Sequence, residues 1–133
     1  MQGIDTNILI RYIVQDDAVQ SALAGELIEK RFTPENPAHI NRIVLCELVW
    51  VLSAAYGFER SEIARALRQI LLTDSFRVED HSVAWEALGD YAAGGADYAD
   101  LLIGRGNRDV GVETTLTFDR KAAAGPHFTL VGA

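Results

Sequence analysis

The fold is first indicated at residues 3–9, which have the sequence GIDTNIL. Gly3-Ile4-Asp5 is predicted to form a short strand, and Thr6-Asn7 to open a helix that continues to about Val14. Strand and helix signals alternate in this way along the rest of the chain, without an internal repeat or a long linker. The pattern indicates an α/β fold.

The remaining elements follow from hydrophobic period, caps and breakers. Helices are predicted from Asp16 or Asp17 to about Arg31, Asn41 to about Tyr56, Ser61 to about Leu72, His81 to Ala93 and Tyr98 to about Arg108, and strands at residues 38–40, 76–78, 112–118 and 128–131. Strands joined by helical crossovers run parallel, and the helices then cover both faces of the sheet. The sequence therefore predicts one domain, residues 1–133, built as a three-layer α/β/α sandwich with a central, mostly parallel sheet.

Composition fits a single domain outside the membrane. With 133 residues, 49% of them apolar, the chain has enough material for one core. No run of about 18 uninterrupted apolar residues occurs, and the first ten residues lack a basic stretch followed by an apolar one. We expect a soluble, cytoplasmic protein.

Two acids are placed at one edge of the predicted sheet. Asp5 stands at the carboxyl end of the first strand, and Asp119 at the carboxyl end of the strand predicted for residues 112–118. In an open parallel sheet the ligand crevice lies just beyond these ends. An ordinary turn or helix-cap aspartate would occupy either position equally well, so neither acid alone identifies a site.

A third acid, Glu47, is predicted to lie on an apolar helix face. Its neighbours one turn away are all apolar, namely Ile43, Val44, Trp50 and Val51. A glutamate on a core face is unfavourable unless a positive group meets it. An arginine such as Arg42 would serve as a structural partner, but a bound cation explains the position better. Trp50 and Trp85 are themselves predicted to pack in the core.

Asp97 and Asp100 flank the start of the helix predicted from Tyr98. At the N-cap and the third helical position, both carboxylates would be favoured by free backbone N–H groups and by the helix dipole. The capping role is favoured for Asp97. Capping and metal binding are compatible, because a carboxylate has two oxygens.

Several acids together suit one kind of chemistry. Mg²⁺ and Mn²⁺ prefer oxygen ligands, and cations held by carboxylates polarise a phosphodiester and generate hydroxide from bound water. The three histidines and the single cysteine show no zinc-ligand spacing. Crowded carboxylates also repel one another, so at least one of their pKa values should be raised.

The net charge of −7 argues at first against a nucleic-acid ligand, because phosphates are normally bound by lysine and arginine. If five acids form a metal site, the other 14 acids and the 12 bases leave a net charge of only −2. Bound cations would then invert the local field where a phosphate has to sit. Arg120-Lys121, directly after Asp119, fits a solvated turn and a phosphate contact equally well.

Four motifs resemble a known family. Residues 4–9, IDTNIL, are similar to the opening strand and turn of PIN domains, and Glu47 matches their helical glutamate. The sequence GADYADLLI at residues 95–103, followed by TFDR at residues 117–120, resembles the closing half of VapC toxins, the PIN-domain ribonucleases of toxin–antitoxin pairs. The motifs occur in the family's order and span nearly the whole chain.

The resemblance implies a ribonuclease site. Asp5 and Asp100 would be the foremost metal ligands, Glu47 and Asp119 would complete the acidic pocket, and Asp97 matches an acid that many relatives carry. The implied cofactor is Mg²⁺ or Mn²⁺, and the implied substrate is single-stranded or loop RNA, often tRNA or ribosomal RNA. A cognate VapB-type antitoxin would inhibit the enzyme.

Further expectations concern positioning and assembly. By the same resemblance, Thr6 and Asn7 would position Asp5 and the attacking water or phosphate. A homodimer is expected from the family and from the many apolar positions on the second and fourth predicted helices.

Two alternatives remain open on the sequence. One is a PIN nuclease outside toxin–antitoxin systems, acting in RNA processing or DNA flap cleavage, and the short chain favours the toxin over it. The other is an inactive PIN scaffold that binds RNA or protein without cutting. The presence of all the motif acids opposes this second alternative.

Overall fold

The computed structural model describes residues 1–132, which fold into two compact units, Met1–His81 and the part from Ser82 onward. Both units combine helices with parallel strands, so the predicted α/β fold is confirmed. That the two units make up one domain stays a prediction. None of the helices in residues 1–132 is both long and apolar enough to cross a membrane.

The first unit contains a three-stranded parallel sheet and four α-helices. Its elements are β1 (Gln2–Gly3), α1 (Thr6–Val14), α2 (Ala18–Glu26) with a π-helical continuation (Leu27–Arg31), β2 (Ala38–Ile40), α3 (Arg42–Ala54), α4 (Arg60–Leu72) and β3 (Phe76–Val78). The strand order is β1-β2-β3, with Gln2 opposite Ala38 and Ala38 opposite Phe76. Its core consists of fully buried aliphatic side chains, among them Leu9, Ile40, Leu45, Leu48, Leu52, Ile63 and Leu67.

The second unit begins at Ser82, within α5 (His81–Ala93), and the first residue of that helix, His81, is the last residue of the first unit. It contains α6 (Tyr98–Asp109), β4 (Thr115–Thr117), the short α7 (Arg120–Ala123) and β5 (Phe128–Leu130), and β4 and β5 pair in parallel. Tyr98 is fully buried, and its hydroxyl donates a hydrogen bond of 3.0 Å to the carbonyl oxygen of Ala84. Its ring meets the ring of Tyr91 edge to face at 5.7 Å, which joins α5 to α6.

Capping residues set the helix starts close to their predicted positions. Asp17 caps α2 through the N–H of Gln20, and Asn41 caps α3 through the N–H of Ile43. The fourth helix begins at Arg60 instead of Ser61, because Glu59 and Glu62 form a reciprocal capping box.

Three predicted strands are shorter in the structure, among them the strand predicted for residues 128–131, which is Phe128–Leu130, and one helix is not predicted by the sequence. The strand predicted for Gly3-Ile4-Asp5 is Gln2–Gly3, and Asp5 caps α1 instead of extending the strand. The strand predicted for residues 112–118 is Thr115–Thr117, because the N–H of Val112 bonds back to Asn107 and closes the end of α6. The four-residue α7 carries no periodicity from which to predict it.

Gly104 allows α6 to approach β5 closely. A Cβ atom at this position would lie 2.6 Å from Cε2 of Phe128 and 2.9 Å from Cβ of His127. Gly106, on the same helix, has no atom within 4 Å of a Cβ placed there. Substitutions at the two positions can therefore distinguish the effect of close packing at Gly104 from the low helix propensity that both glycines share.

We expect Gly104→Ala to lower the free energy of unfolding by about 1–3 kcal/mol, because the added methyl overpacks the contact between α6 and β5. The control Gly106→Ala should raise it by about 0.5–1 kcal/mol through helix propensity alone. Urea unfolding of both variants measures the difference. Stabilisation by both substitutions would show that this contact is loosely packed.

Candidate acidic active site

Asp5 is held at the junction between β1 and α1. Asp5 is the N-cap of α1, and its Oδ1 accepts a hydrogen bond of 2.7 Å from the backbone N–H of Thr6, the first residue of the helix. The side chain is exposed. Its second oxygen has no hydrogen-bond partner among residues 1–132. Capping therefore fixes the carboxylate and leaves one oxygen for another ligand.

Thr6 connects this junction to α3. Its side chain is buried, and its Oγ1 donates a hydrogen bond of 2.7 Å to Oε1 of Glu47. The backbone N–H of Thr6 orients Asp5 and its hydroxyl orients Glu47, so one residue positions two of the predicted site acids. Asn7 follows with an exposed side chain and lines a groove between α1 and α2.

The predicted environment of Glu47 is wrong. Glu47 is exposed, and the apolar side chains on its face, Ile43 and Trp50, are exposed by 64% and 71%. The buried face of α3 consists instead of Val44, Leu45, Leu48, Val49 and Leu52. The core positions predicted for Trp50 and Trp85 are therefore also wrong, since Trp85 is 37% exposed. Because Glu47 is exposed, its charge does not require a positive partner. The case for Glu47 in the site therefore rests on its hydrogen bond to Thr6.

In the second unit, Asp97 and Asp100 occupy the start of α6. Oδ1 of Asp97 accepts a hydrogen bond of 2.9 Å from the N–H of Tyr98, which confirms the predicted N-cap. Asp100 lies in the first turn, is half-buried, and has no hydrogen-bond partner among residues 1–132. A partly desolvated carboxylate without a donor is unfavourable in its charged form.

Asp119 is the third acid of this unit and follows β4. Its Oδ1 accepts hydrogen bonds from the N–H groups of Lys121 at 2.8 Å and Ala122 at 3.2 Å. Its own N–H donates to Oγ1 of Thr117 at 3.0 Å. The strand end is thereby tied to the start of α7, and the second carboxylate oxygen has no partner within the described part of the chain.

These three acids interact with one another. The pKa of Asp100 is raised above its usual value of 3.8, first by burial and then by the negative charges of Asp119 and Asp97. The expectation that crowding raises at least one pKa in the acidic site is confirmed at Asp100. The structure thus groups Asp97, Asp100 and Asp119 within the second unit, and Asp5, Thr6 and Glu47 within the first.

Most of the chain is similar to one known protein family. The model of the PIN domain family matches residues 4–124. The chain belongs to the PIN domain family. PIN domains are generally metal-dependent nucleases that use divalent ions such as Mg²⁺. No curated protein and no solved structure matches the chain.

The side chains of this PIN domain suit a hard cation by their chemistry. Among residues 1–132, Asp5, Asp97 and Asp119 each use one carboxylate oxygen for capping and leave the other without a partner, and neither oxygen of Asp100 has one. Within residues 1–132, no three Asp, Glu, His or Cys side chains form a ready-made metal-ligand group. Mg²⁺ is commonly held by one or two carboxylates, substrate phosphates and water, so the donor set fits. Which of the acids are ligands stays a prediction.

One feature of the site had no signal in the sequence. The bond between Thr6 and Glu47 joins residues 41 positions apart, and neither the helix period nor a cap pattern predicts such a pair. The resemblance assigns Thr6 to positioning Asp5 and the attacking water or phosphate, whereas its side chain holds Glu47.

Proposed function

We propose that this PIN domain is a Mg²⁺- or Mn²⁺-dependent endoribonuclease and the toxin of a VapBC-type toxin–antitoxin pair. The observation that carries the nuclease proposal is the arrangement around Asp100. Its half-buried carboxylate faces the charges of Asp119 and Asp97, and no basic side chain neutralises it among the described residues. Such a group of acids is expected where a cation completes the charge balance. The toxin role rests on residues 95–103 and 117–120, which resemble the closing half of VapC toxins.

The proposed roles follow the resemblance to the family's site. Asp5 and Asp100 are the main metal ligands, and Glu47, Asp119 and Asp97 complete the acidic pocket. When bound, the divalent ion supplies a polarised phosphodiester and a nucleophilic water. Capping bonds hold the carboxylates of Asp5, Asp97 and Asp119 before an ion binds, so these three side chains need little reorganisation at the moment of reaction.

Thr6 and Asn7 are assigned to positioning in this proposal. Thr6 fixes the carboxylate of Glu47 through its hydroxyl and that of Asp5 through its N–H. Asn7 carries an exposed amide directly after them, which can hydrogen-bond a water or a phosphate oxygen.

The proposed partners are RNA, as the substrate, and a VapB-type antitoxin. A groove of about 590 Å³ runs between α1 and α2, and it is lined by Asn7, Ile8, Arg11, Gln20, Leu23, Ala24 and Leu27. Leu23 is 62% exposed, so the groove offers apolar surface beside Asn7. An apolar antitoxin helix in this groove, with a basic side chain reaching toward the acids, would inhibit the enzyme.

A homodimer and a cytoplasmic location are part of the same proposal. Exposed apolar side chains on three helices support self-association: Val19 and Leu23 on α2, Ile43 and Trp50 on α3, and Leu72 on α4. On α4 the other large apolar side chains are buried, so this helix contributes less than its sequence suggests.

Incubating tRNA and ribosomal RNA with the protein tests the proposal. Cleavage is expected with Mg²⁺ or Mn²⁺ and none with excess EDTA, whereas an inactive scaffold would leave the RNA intact in both. A neighbouring short gene whose product blocks the cleavage would separate a toxin from a nuclease of RNA processing. Cleavage that persists in EDTA would refute the metal-dependent mechanism.

A further inference from the structure

Phe118 is an exposed aromatic residue directly before the site acid Asp119. Its side chain is 82% exposed, more than any other large apolar side chain in residues 1–132. A phenyl ring left in water forgoes the stabilisation that burial brings. Single exposed apolar residues are nevertheless common on protein surfaces, so the exposure of Phe118 needs support from its neighbours.

Two basic residues on the other side of Asp119 supply that support. Arg120 and Lys121 are exposed, and within residues 1–132 neither side chain forms a hydrogen bond or an ion pair. Other arginines of this acidic protein, such as Arg42 and Arg105, are paired with carboxylates. The charges of Arg120 and Lys121 therefore remain available to an anionic ligand.

The backbone holds these groups close to the acid. The carboxylate of Asp119 accepts hydrogen bonds from the N–H of Lys121 and the N–H of Ala122, and the N–H of Asp119 donates to Thr117. An aromatic ring, a site carboxylate and two unpaired cations thus occupy four consecutive positions, residues 118–121. A ring with neighbouring cations is the combination by which proteins bind an unpaired nucleotide, the ring stacking on the base and the cations contacting phosphates.

We infer that Phe118 is the stacking surface for an unpaired base of the RNA beside the scissile phosphate, with Arg120 and Lys121 contacting adjacent phosphates. This inference rests on the proposed ribonuclease function and adds to it the residues that select single-stranded RNA. A paired base in a duplex offers no free face, so duplex RNA is a poor ligand for this surface. Stacking also gives affinity that does not depend on the net charge, which is −7 here.

Equilibrium binding in the Asp100→Asn background, where cleavage should not interfere, tests the inference. The probe is a short, fluorescently labelled single-stranded RNA of mixed sequence, measured by anisotropy. Phe118→Ala should weaken binding by about 5- to 150-fold, the usual range for losing one stacked base. Phe118→Leu should weaken binding to a similar extent because it keeps an apolar side chain without a π face, whereas Phe118→Trp should retain the affinity.

Leu116→Ala is the matched control. Leu116 lies on β4 two residues earlier and is 68% exposed, so its truncation removes comparable apolar surface farther from Asp119. Its RNA affinity should equal that of the parent. Because both side chains are exposed, all of these variants should melt at the temperature of the parent, which excludes unfolding as the cause of lost binding.

The nucleotide and the phosphates can be located in the same assay. Replacing one nucleotide at a time by an abasic one should reveal a single position at which Phe118→Ala has no further effect. Arg120→Gln and Lys121→Gln should each lower the slope of log affinity against log salt concentration by about 0.7, the value for one phosphate contact in single strands.

The possible results distinguish the stacking role of Phe118 from the ribonuclease function. Unchanged affinity in Phe118→Ala, with cleavage intact in the wild type, would overturn the stacking inference and leave the ribonuclease function standing. A lower molar mass of Phe118→Ala by light scattering, with unchanged RNA affinity, would overturn it in favour of a protein interface. RNA binding that depends on Phe118 without any cleavage would support the surface and refute the enzyme. A wild type that neither binds nor cleaves RNA would refute both.

Discussion

Asp100→Asn should lower kcat/KM for RNA cleavage by about 10³-fold or more, which corresponds to several kcal/mol of lost stabilisation by the metal centre. Asp100 is half-buried, no hydrogen bond occupies its oxygens among residues 1–132, and its pKa is raised first by burial and then by the charges of Asp119 and Asp97. Its charged form is therefore stabilised mainly when a cation is bound. Asparagine keeps the shape of the side chain but removes the charge.

Asp97→Asn should leave measurable activity, with a loss of about 10–100-fold, the usual effect of a residue that supports a metal ligand. Asp97 already uses Oδ1 for the N–H of Tyr98, and asparagine caps a helix nearly as well. Asp109→Asn, which removes an exposed acid at the other end of α6, serves as the control and should not change kcat/KM.

Initial rates with Mn²⁺ in excess, and melting curves of each variant, are the measurements. Equal and complete losses in Asp97→Asn and Asp100→Asn would show that both are direct ligands. Activity in Asp100→Asn close to that of the wild type would remove Asp100 from the mechanism.

The part of this site that could be predicted is the part governed by local rules. The N-cap at Asp97 follows from the position of an aspartate before an apolar helix, and the structure confirms it. Asp5 follows β1 after one residue, Ile4, and α7, which the sequence does not predict, begins after Asp119, which caps it. Repulsion between neighbouring carboxylates follows from their number, and it acts at Asp100.

The part that could not be predicted depends on contacts distant in sequence. Helix α3 is apolar on almost every face, so periodicity does not reveal which side is buried. The sequence therefore predicts Glu47 on the buried face, whereas it lies on the exposed one. The exposure of Trp50 has the same origin. The bond from Thr6 to Glu47 depends on how α1 and α3 pack against each other, and the sequence contains no pattern for that distance.

Stability should depend on pH in the direction set by the raised pKa of Asp100. Between its usual value of 3.8 and its raised value in the fold, the folded state binds more protons than the unfolded state. Deprotonation of Asp100 should therefore lower the free energy of unfolding of the metal-free protein as the pH rises across this interval. Asp100→Asn removes the charge, so with EDTA the variant should melt higher than the wild type at neutral pH and at the same temperature below pH 3.8.

A divalent cation should reverse this order at neutral pH. A ligand that binds only the folded state at 100 times its Kd stabilises it by about 2.7 kcal/mol, or roughly 5–10 °C in a protein of this size. Wild type should gain this shift with Mn²⁺, whereas Asp100→Asn should gain much less, because one of the main ligands is lost. Differential scanning calorimetry of both proteins, with EDTA and with Mn²⁺, at acidic and at neutral pH, measures all of these melting temperatures.

A structural ion pair at Asp100 would give the opposite pattern. Removing one partner of a buried pair leaves the other charge uncompensated and lowers stability by about 3–5 kcal/mol, so the metal-free variant would melt well below the wild type. It would also respond to Mn²⁺ as strongly as the wild type does, since no ligand would have been lost. Observing both would exclude Asp100 as a metal ligand. Because calorimetry needs no substrate, this result would stand whatever RNA the enzyme cleaves.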